Sequence, residues 1–301
     1  MDRALGGGFA PLLASQEQYV DDFWRRSDVR VSDVREDCTK MSTVEIQQAI
    51  RFNLFHILQA SARADDTGVP AKGLTGQAYE GHYFWDTEIY PAAVPDLHLA
   101  LHRPLLLFYH PLNIYRKQVI KQADVVLGMF LLDDAFSAEE KKRNFGFYDL
   151  LTTGDSSLSC CVEAIIAAQT GSVQKAIDYG MAALLMDLAD VGGNVTDGCH
   201  IASMGGTWMM LIYGFGGMKD NNGMLSFRPL RAPEDNAVLE FPVTWRGQTL
   251  GVKISPEQVE YSLRAGHGLV IRHEGEEIGL TPECPLAVRT LSGPVSLELA
   301  D

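Results

Sequence analysis

A change of hydrophobic period near residue 230 constrains this chain more than any other feature. Upstream of it apolar residues recur at helical spacing; from Val238 onward they alternate. Ser42 and Glu45 form a capping box, S-x-x-E, and Ile46, Ile50, Leu54 and Leu58 follow at intervals of four on one helix face. Phe52 and Phe55 widen that face, which predicts a helix packed on more than one side. Further helices are predicted from about Gln122 to Leu132, from Ser137 (boxed with Glu140) toward Phe147, and over Ser156 to Ala168 with a stop at Gly171. Two more run from Ser172 to about Leu188 and from Ala202 to Tyr213, while residues 16–40 read as helix and then loop. In the alternating part Leu239, Phe241, Val243 and Trp245 lead to a turn at Arg246, Gly247 and Gln248, and Leu250, Val252 and Ile254 continue the pattern. The expected layout is an N-terminal helical linker over 1–42, a helical domain over 43–230 and a C-terminal antiparallel β domain over 231–301.

Composition narrows the partners. With 46% hydrophobic and 21% charged residues the chain can bury a sizeable core as a soluble globular protein. Its formal net charge of −14 repels nucleic acid and anionic membranes. A neutral sugar is indifferent to that charge, whereas a phosphate ion needs a local positive site to offset it. The cysteines (Cys38, Cys160, Cys161, Cys199, Cys284) are odd in number and lack C-x-x-C spacing, which predicts small buried or partly buried thiols rather than disulfides or a zinc site. The apolar stretch Phe9 to Ala14 is short for a secretory core and lacks a basic flank. The most apolar window, Leu97 to Tyr109, contains His98, His102, Arg103 and Pro104 and cannot span a bilayer. The expected location is the cytoplasm.

Four segments carry candidate chemistry. In AKGLTGQAYEGHYFWDTEIY (71–90), Trp85 stands directly before Asp86, with Glu88 two residues on. An indole face packs against a sugar's C–H face while the carboxylate accepts its hydroxyl protons; D-T-E before an apolar run is equally a helix start. Lys121 and Gln122 open a helix, within reach of a ligand or of solvent. Thr152, Thr153, Gly154, Asp155, Ser156 and Ser157 precede another, and hydroxyls with free N–H groups at a helix N-terminus make either an anion site or a cap. His200, in D-G-C-H-I-A-S, is a structural hydrogen-bonder or a donor to an anion. His98 and His102 have the spacing of a helical metal pair, but Leu99 and Pro104 argue against one, and no metal site is expected.

Taken together, AKGLTGQAYEGHYFWDTEIY, VIKQADVVL, TTGDSSLS and NVTDGCHIASMGGTWMMLIYGFGG resemble the signature blocks of glycoside hydrolase family 65, in the family's order. The family includes maltose, trehalose and kojibiose phosphorylases. The resemblance implies a mainly α fold with a small β domain, namely an (α/α)6 toroid followed by an antiparallel β-sandwich. It implies inverting phosphorolysis of an α-linked glucose disaccharide, in which phosphate attacks the anomeric carbon, a Glu protonates the leaving oxygen, and β-glucose 1-phosphate and glucose result. It assigns substrate binding to Trp85, Asp86, Lys121 and Gln122, and phosphate binding to Ser156, Ser157 and His200. No cofactor is implied beyond inorganic phosphate as co-substrate; a homodimer is the assembly many relatives adopt.

The chain also departs from the family pattern. Only 32 residues separate Glu88 from Lys121, where family members carry a long stretch with several helices and the general-acid Glu. No matching Glu motif occurs, which leaves no catalytic acid and only Glu88 and Asp197 as weak substitutes. No counterpart of the family's large N-terminal β-sandwich is expected either. About seven helical segments fall between 17 and 213, too few for a full toroid, and the join is expected near 105–120, around Asn113 to Ile120. Gly154 replaces the family's usual His. Loss of the acid, typically worth ~10²–10⁴-fold, predicts impaired catalysis; the alternatives are a non-catalytic sugar-binding remnant or a truncated product.

Overall fold

The computed structural model describes residues 8–33, 42–61, 69–82, 110, 114, 119–122, 124–154, 156–230 and 237–291. Its helices are α1 (Phe9–Ser27), α2 (Thr43–Ser61), α3 (Asp124–Leu131), α4 (Ala138–Tyr148), α5 (Ser159–Gln169), α6 (Val173–Leu185) and α7 (Ile201–Met209). Both capping boxes form. Ser42 N–H donates to Glu45 Oε2 at 2.9 Å and Glu45 N–H to Ser42 Oγ at 3.3 Å, and Ser137 with Glu140 repeats the pair. Ser172 precedes α6 without a side-chain cap. On α2, Ile50 and Leu54 are buried as expected, but Phe55 is exposed. The polar Asn53 takes a core position because its Nδ2 donates to Ala49 O and Leu184 O, both at 3.1 Å.

The helix α5 is the centre of the helical part, with Cys161 to Ala168 buried on every face, the charged Glu163 among them. Its alanines let α6 lie close. The helix α7 continues through Met210–Phe215 as a π-helix, closed by Gly216 N–H donating to Leu211 O at 2.8 Å. Gly214 there faces α5 so closely that a Cβ would sit 3.3 Å from Ile165 Cα. At Gly217 (φ 59) the chain turns out of the helix past the Arg228 carbonyl, a position that has no room for a side chain.

The strands are β1 (Arg30–Asp33), β2 (Met218–Lys219), β3 (Ser226–Phe227), β4 (Ala237–Trp245), β5 (Gln248–Ile254), β6 (Gln258–Ala265), β7 (Leu269–His273), β8 (Glu276–Leu280) and β9 (Leu286–Thr290). They form a five-stranded sheet, β1-β4-β5-β6-β9, antiparallel throughout, and a four-stranded one, β2-β3-β7-β8, in which only β3 and β7 run parallel. The hairpin turns Arg246–Gly247 and Glu274–Gly275 both have two successive positive φ values, 48 and 79 then 48 and 94, which match the right-handed strand twist. Pro242 is tolerated in β4 because β1 pairs only as far as Glu240, so the absent N–H faces no partner strand.

One element differs from expectation. Residues 30–33, predicted as loop, form β1 and pair antiparallel with β4 from Arg30↔Glu240 to Asp33↔Ala237. The segment R-V-S-D is too short and polar to signal a strand; it is held from the side by α2. Gln47 donates to Val29 O and accepts from Val31 N–H, each at 2.9 Å, while Arg51 reaches both carboxylate oxygens of Asp28 at 3.1 and 2.6 Å. The inner faces of the two sheets and the helices share one apolar core, running from Ile50, Ile165 and Met210 to Phe241, Tyr261 and Ile278. Among the described residues no helix is long and apolar enough to cross a membrane.

Candidate functional site

Glycine contacts lock the first and last sequence blocks together. Gly76 lies against the Asp197 carbonyl, and Gly198 (φ 100) would place a Cβ 2.8 Å from Gly76 Cα. Thr75 Oγ1 accepts from Cys199 N–H at 2.7 Å, and Ile201 N–H donates to Ala71 O at 3.3 Å. The segment 71–76 therefore covers the start of α7. A second pair of blocks joins by backbone. Ile120 N–H donates to Leu151 O at 3.0 Å and Thr153 N–H to Ile120 O at 2.9 Å, making a parallel bridge between Ile120 and Thr152. Across it Gln122 Nε2 donates to Ser156 Oγ at 3.2 Å.

Both pairs lie at one end of the helices. Cys161 and Ser203 each occupy the third position of their helices, and Cys161 Sγ reaches Ser203 O at 3.5 Å, so α5 and α7 begin side by side. Ala60, near the end of α2, lies beside Ile201 under Gly73, which brings the end of α2 to the same place. The helix α6 ends there too, delivering Asp187. Ser156 and Ser157 before α5, His200 before α7 and Gln122 before α3 thus occupy loops at the mouths of neighbouring helices, where unsatisfied N–H groups and helix dipoles favour anions.

The most developed polar cluster surrounds His200. Asp187 accepts from His200 N–H at 2.8 Å and from its Nδ1 at 2.6 Å. With the proton on Nδ1, Nε2 presents its lone pair to Lys72 Nζ at 3.1 Å and Asn194 Nδ2 at 3.3 Å. Lys72 is buried, and its Nζ also donates to Gly198 O at 3.0 Å. Burial pulls its pKa below the ordinary lysine value, against the opposing pull of Asp187 and Asp197. His56, on α2, is lowered for the same reason, with Asp187 opposing, so α2 contributes a further titratable group near this carboxylate. Burial raises the Cys199 thiol.

The candidate residues from the sequence divide as follows. Gln122 and Ser156 meet directly; Ser157 is half-buried beside them, and Lys121 is exposed. His200 is placed by Asp187. Asp197 is exposed in a short 3-10 turn, Val195–Asp197, with its carbonyl rather than its carboxylate against Gly76. Trp85, Asp86, Glu88, His98, His102, Asp155 and Cys38 lie outside the described residues, as does most of 105–118. Of the other cysteines Cys161 and Cys199 are buried and Cys160 partly so, whereas Cys284, expected to be at least partly buried, is exposed in a tight turn. Lys72, Asp187 and Asn194 were not singled out from the sequence. Lys72 had a signal, a charge inside the Gly-rich AKGLTG block; Asp187 had none, since a polar residue after a helix is ordinary.

These features define a mainly helical protein with an antiparallel β region and a polar loop cluster gathered at one helix end. The model for the glycosyl hydrolase family 65 central catalytic domain matches residues 51–104 and 97–209, and that for the family's C-terminal domain matches 218–280. The chain belongs to glycosyl hydrolase family 65. It is 27% identical to an uncharacterized glycosyl hydrolase of Mycobacterium tuberculosis over 94% of this chain and 60% of that protein. It is 39% identical to the alpha,alpha-trehalose phosphorylase of Geobacillus stearothermophilus over 64% of this chain and 25% of that protein. A solved structure of a candidate kojibiose phosphorylase from the human microbiome shares the fold, with a TM-score of 0.83 at 18% identity, covering 96% of this chain and 66% of its own. The chain thus spans less than two thirds of the relatives it matches.

Proposed function

We propose that this chain retains the glucoside- and phosphate-binding loops of an inverting disaccharide phosphorylase, set on part of an (α/α)6 toroid with a C-terminal β-sandwich, and has lost efficient turnover. The observation that carries the reading is the convergence of the four sequence blocks: 71–76 locks onto 197–201, and 119–122 onto 152–156, at one end of α3, α5 and α7. In this reading Trp85 and Asp86 hold the glucosyl unit, with Lys121 and Gln122 completing the sugar site. Ser156 and Ser157 receive phosphate on the opposite face of the anomeric carbon, so that attack inverts it, and His200 serves the same phosphate site through the groups bonded to its ring. Gln122, bonded to Ser156, links the sugar and phosphate halves.

The proposed impairment rests on the general acid. The alignment with the mycobacterial relative runs over 480 positions, more than the 301 residues of this chain, which supports a relative with internal segments that have no counterpart here. Without an acid the sugar leaving group departs as an alkoxide, and Asp197, exposed and turned to solvent, is a poor replacement. The test is β-glucose 1-phosphate formation from maltose, trehalose, kojibiose and nigerose with excess phosphate, using purified, monodisperse chain. The expected result is no phosphate-dependent product. A phosphate-dependent rate that Asp86→Ala abolishes would overturn the impairment and identify a working enzyme with a substitute acid.

A further inference from the structure

We propose that Lys72 is the cationic anchor for a phosphate group at this helix end, held in place by the Asp187–His200 pair. The inference rests on the phosphate reading above and adds the charge that reading lacks, since Ser156, Ser157 and a histidine committed to Asp187 through Nδ1 supply no fixed positive charge. Lys72 is only 3% exposed. A buried ammonium is costly unless paired, yet no carboxylate among the described residues forms an ion pair with it. Its two bonds go to the neutral acceptors Gly198 O and His200 Nε2. An ammonium has three N–H donors, so one remains for a ligand.

Two buried hydroxyls at the same helix end also lack partners among the described residues. They are Ser203 Oγ, in the first turn of α7, and Ser159 Oγ, at the start of α5. Buried hydroxyls left unsatisfied cost free energy that a bound acceptor recovers. A phosphate oxygen is an acceptor for such hydroxyls, for the third Lys72 N–H and for free helix N–H groups alike. Asp187 has a positioning role. By taking both the N–H and Nδ1 of His200 it fixes the ring with Nε2 toward Lys72, which holds the ammonium at the mouth of α7. On a chain of net charge −14 this local cation offsets the repulsion that a phosphate dianion would otherwise meet. The phosphate belongs either to the free ion or to a sugar phosphate, and the chemistry of recognition is the same.

Isothermal titration calorimetry of the full chain with inorganic phosphate, and separately with β-glucose 1-phosphate, tests this. Lys72→Met is expected to weaken binding about tenfold or more, with Lys72→Arg retaining it. Lys72→Met binding like the unsubstituted chain overturns this inference and leaves the phosphate reading standing. An unsubstituted chain that binds neither ligand overturns the phosphate reading and this inference with it; binding of the sugar phosphate alone supports the inference and names the source. Should Lys72→Met fail to fold, lysine-selective carbon-13 NMR on the unsubstituted chain decides. The resonance absent from the Lys72→Arg spectrum must move on saturation with phosphate, and a stationary one overturns the assignment.

Discussion

His273, on β7, is 4% exposed, with Nδ1 2.8 Å from the Tyr261 hydroxyl. Burial lowers its pKa below the ordinary histidine value, more than Glu274, a hydrogen bond with the Thr290 backbone and Glu276 raise it, with Arg289 adding to the lowering. His56 on α2 is lowered likewise by burial. The sign of the linkage follows from proton counting. The unfolded chain takes up these protons near the ordinary histidine value of about 6.5, while the folded chain resists until lower pH. Stability from both groups is therefore complete above that value and declines as pH falls through it toward the folded pKa values, by at most about 1.4 kcal/mol per pH unit for each histidine. Urea midpoints measured between neutral and mildly acidic pH should fall, and His273→Phe should flatten part of the slope. A His273→Phe profile as steep as that of the unsubstituted chain would show that its burial does not set the acid limit. Burial also separates residues that looked alike in the sequence. Cys161 sits within α5 with its thiol pushed up to about 12, whereas Cys284 faces solvent.

Glycines at the element scale play two opposite parts, and substitution separates them. Gly146 lies on the exposed side of α4 with open space where a Cβ would project. Gly146→Ala should raise stability by about 0.5–1 kcal/mol, because alanine has less backbone freedom to lose in a helix. Gly76 lies against the Asp197 backbone, which cannot yield as a flexible side chain would. Gly76→Ala should push the 71–76 segment off the start of α7, lower stability by about 1–3 kcal/mol and weaken phosphate binding in the calorimetric titration. Equal effects from the two variants in thermal melts would mean that the blocks are not locked as described. The helices themselves were legible because capping boxes and four-residue apolar spacing are local signals, and both boxes form as read. The strand β1 was not legible. Its cause lies outside it, in Gln47 and Arg51 of α2 and in the free edge of β4. The close approach of Gly76 to Gly198 was equally invisible, since it joins residues more than a hundred positions apart.

At the scale of the whole molecule, the change of period near residue 230 marks a change of secondary structure without dividing the core. Phe241 of β4 is fully buried, and its ring packs against the end of the π-helical turn, where a Cβ on Gly216 would lie 3.0 Å from Phe241 Cζ. Lys219 and Asn221, leaving that turn, bond Asp133 beyond α3 at 2.5 and 3.0 Å, and Lys141 of α4 pairs with the same carboxylate. Alternation in the sequence predicted Phe241 on the inner face of a strand; that its inner face meets helices as well as the second sheet is a tertiary fact no periodicity encodes. The same holds for the candidate site. Its blocks were readable one by one, but their arrival at a common end depends on α5 and α7 starting side by side and α6 returning Asp187 to them. Because one core spans both parts, they should unfold together. Phe241→Ala removes a ring from that junction and should cost about 3–5 kcal/mol. The far-ultraviolet helical signal, and the fluorescence of Trp245 isolated by replacing the other tryptophans with Phe, should shift to lower denaturant together. A helical transition left in place while the Trp245 transition moves would show that the β region is anchored to the helices only by its linker. The apolar junction through Phe241 and Gly216 would then contribute little to holding the loops of the site over their helices.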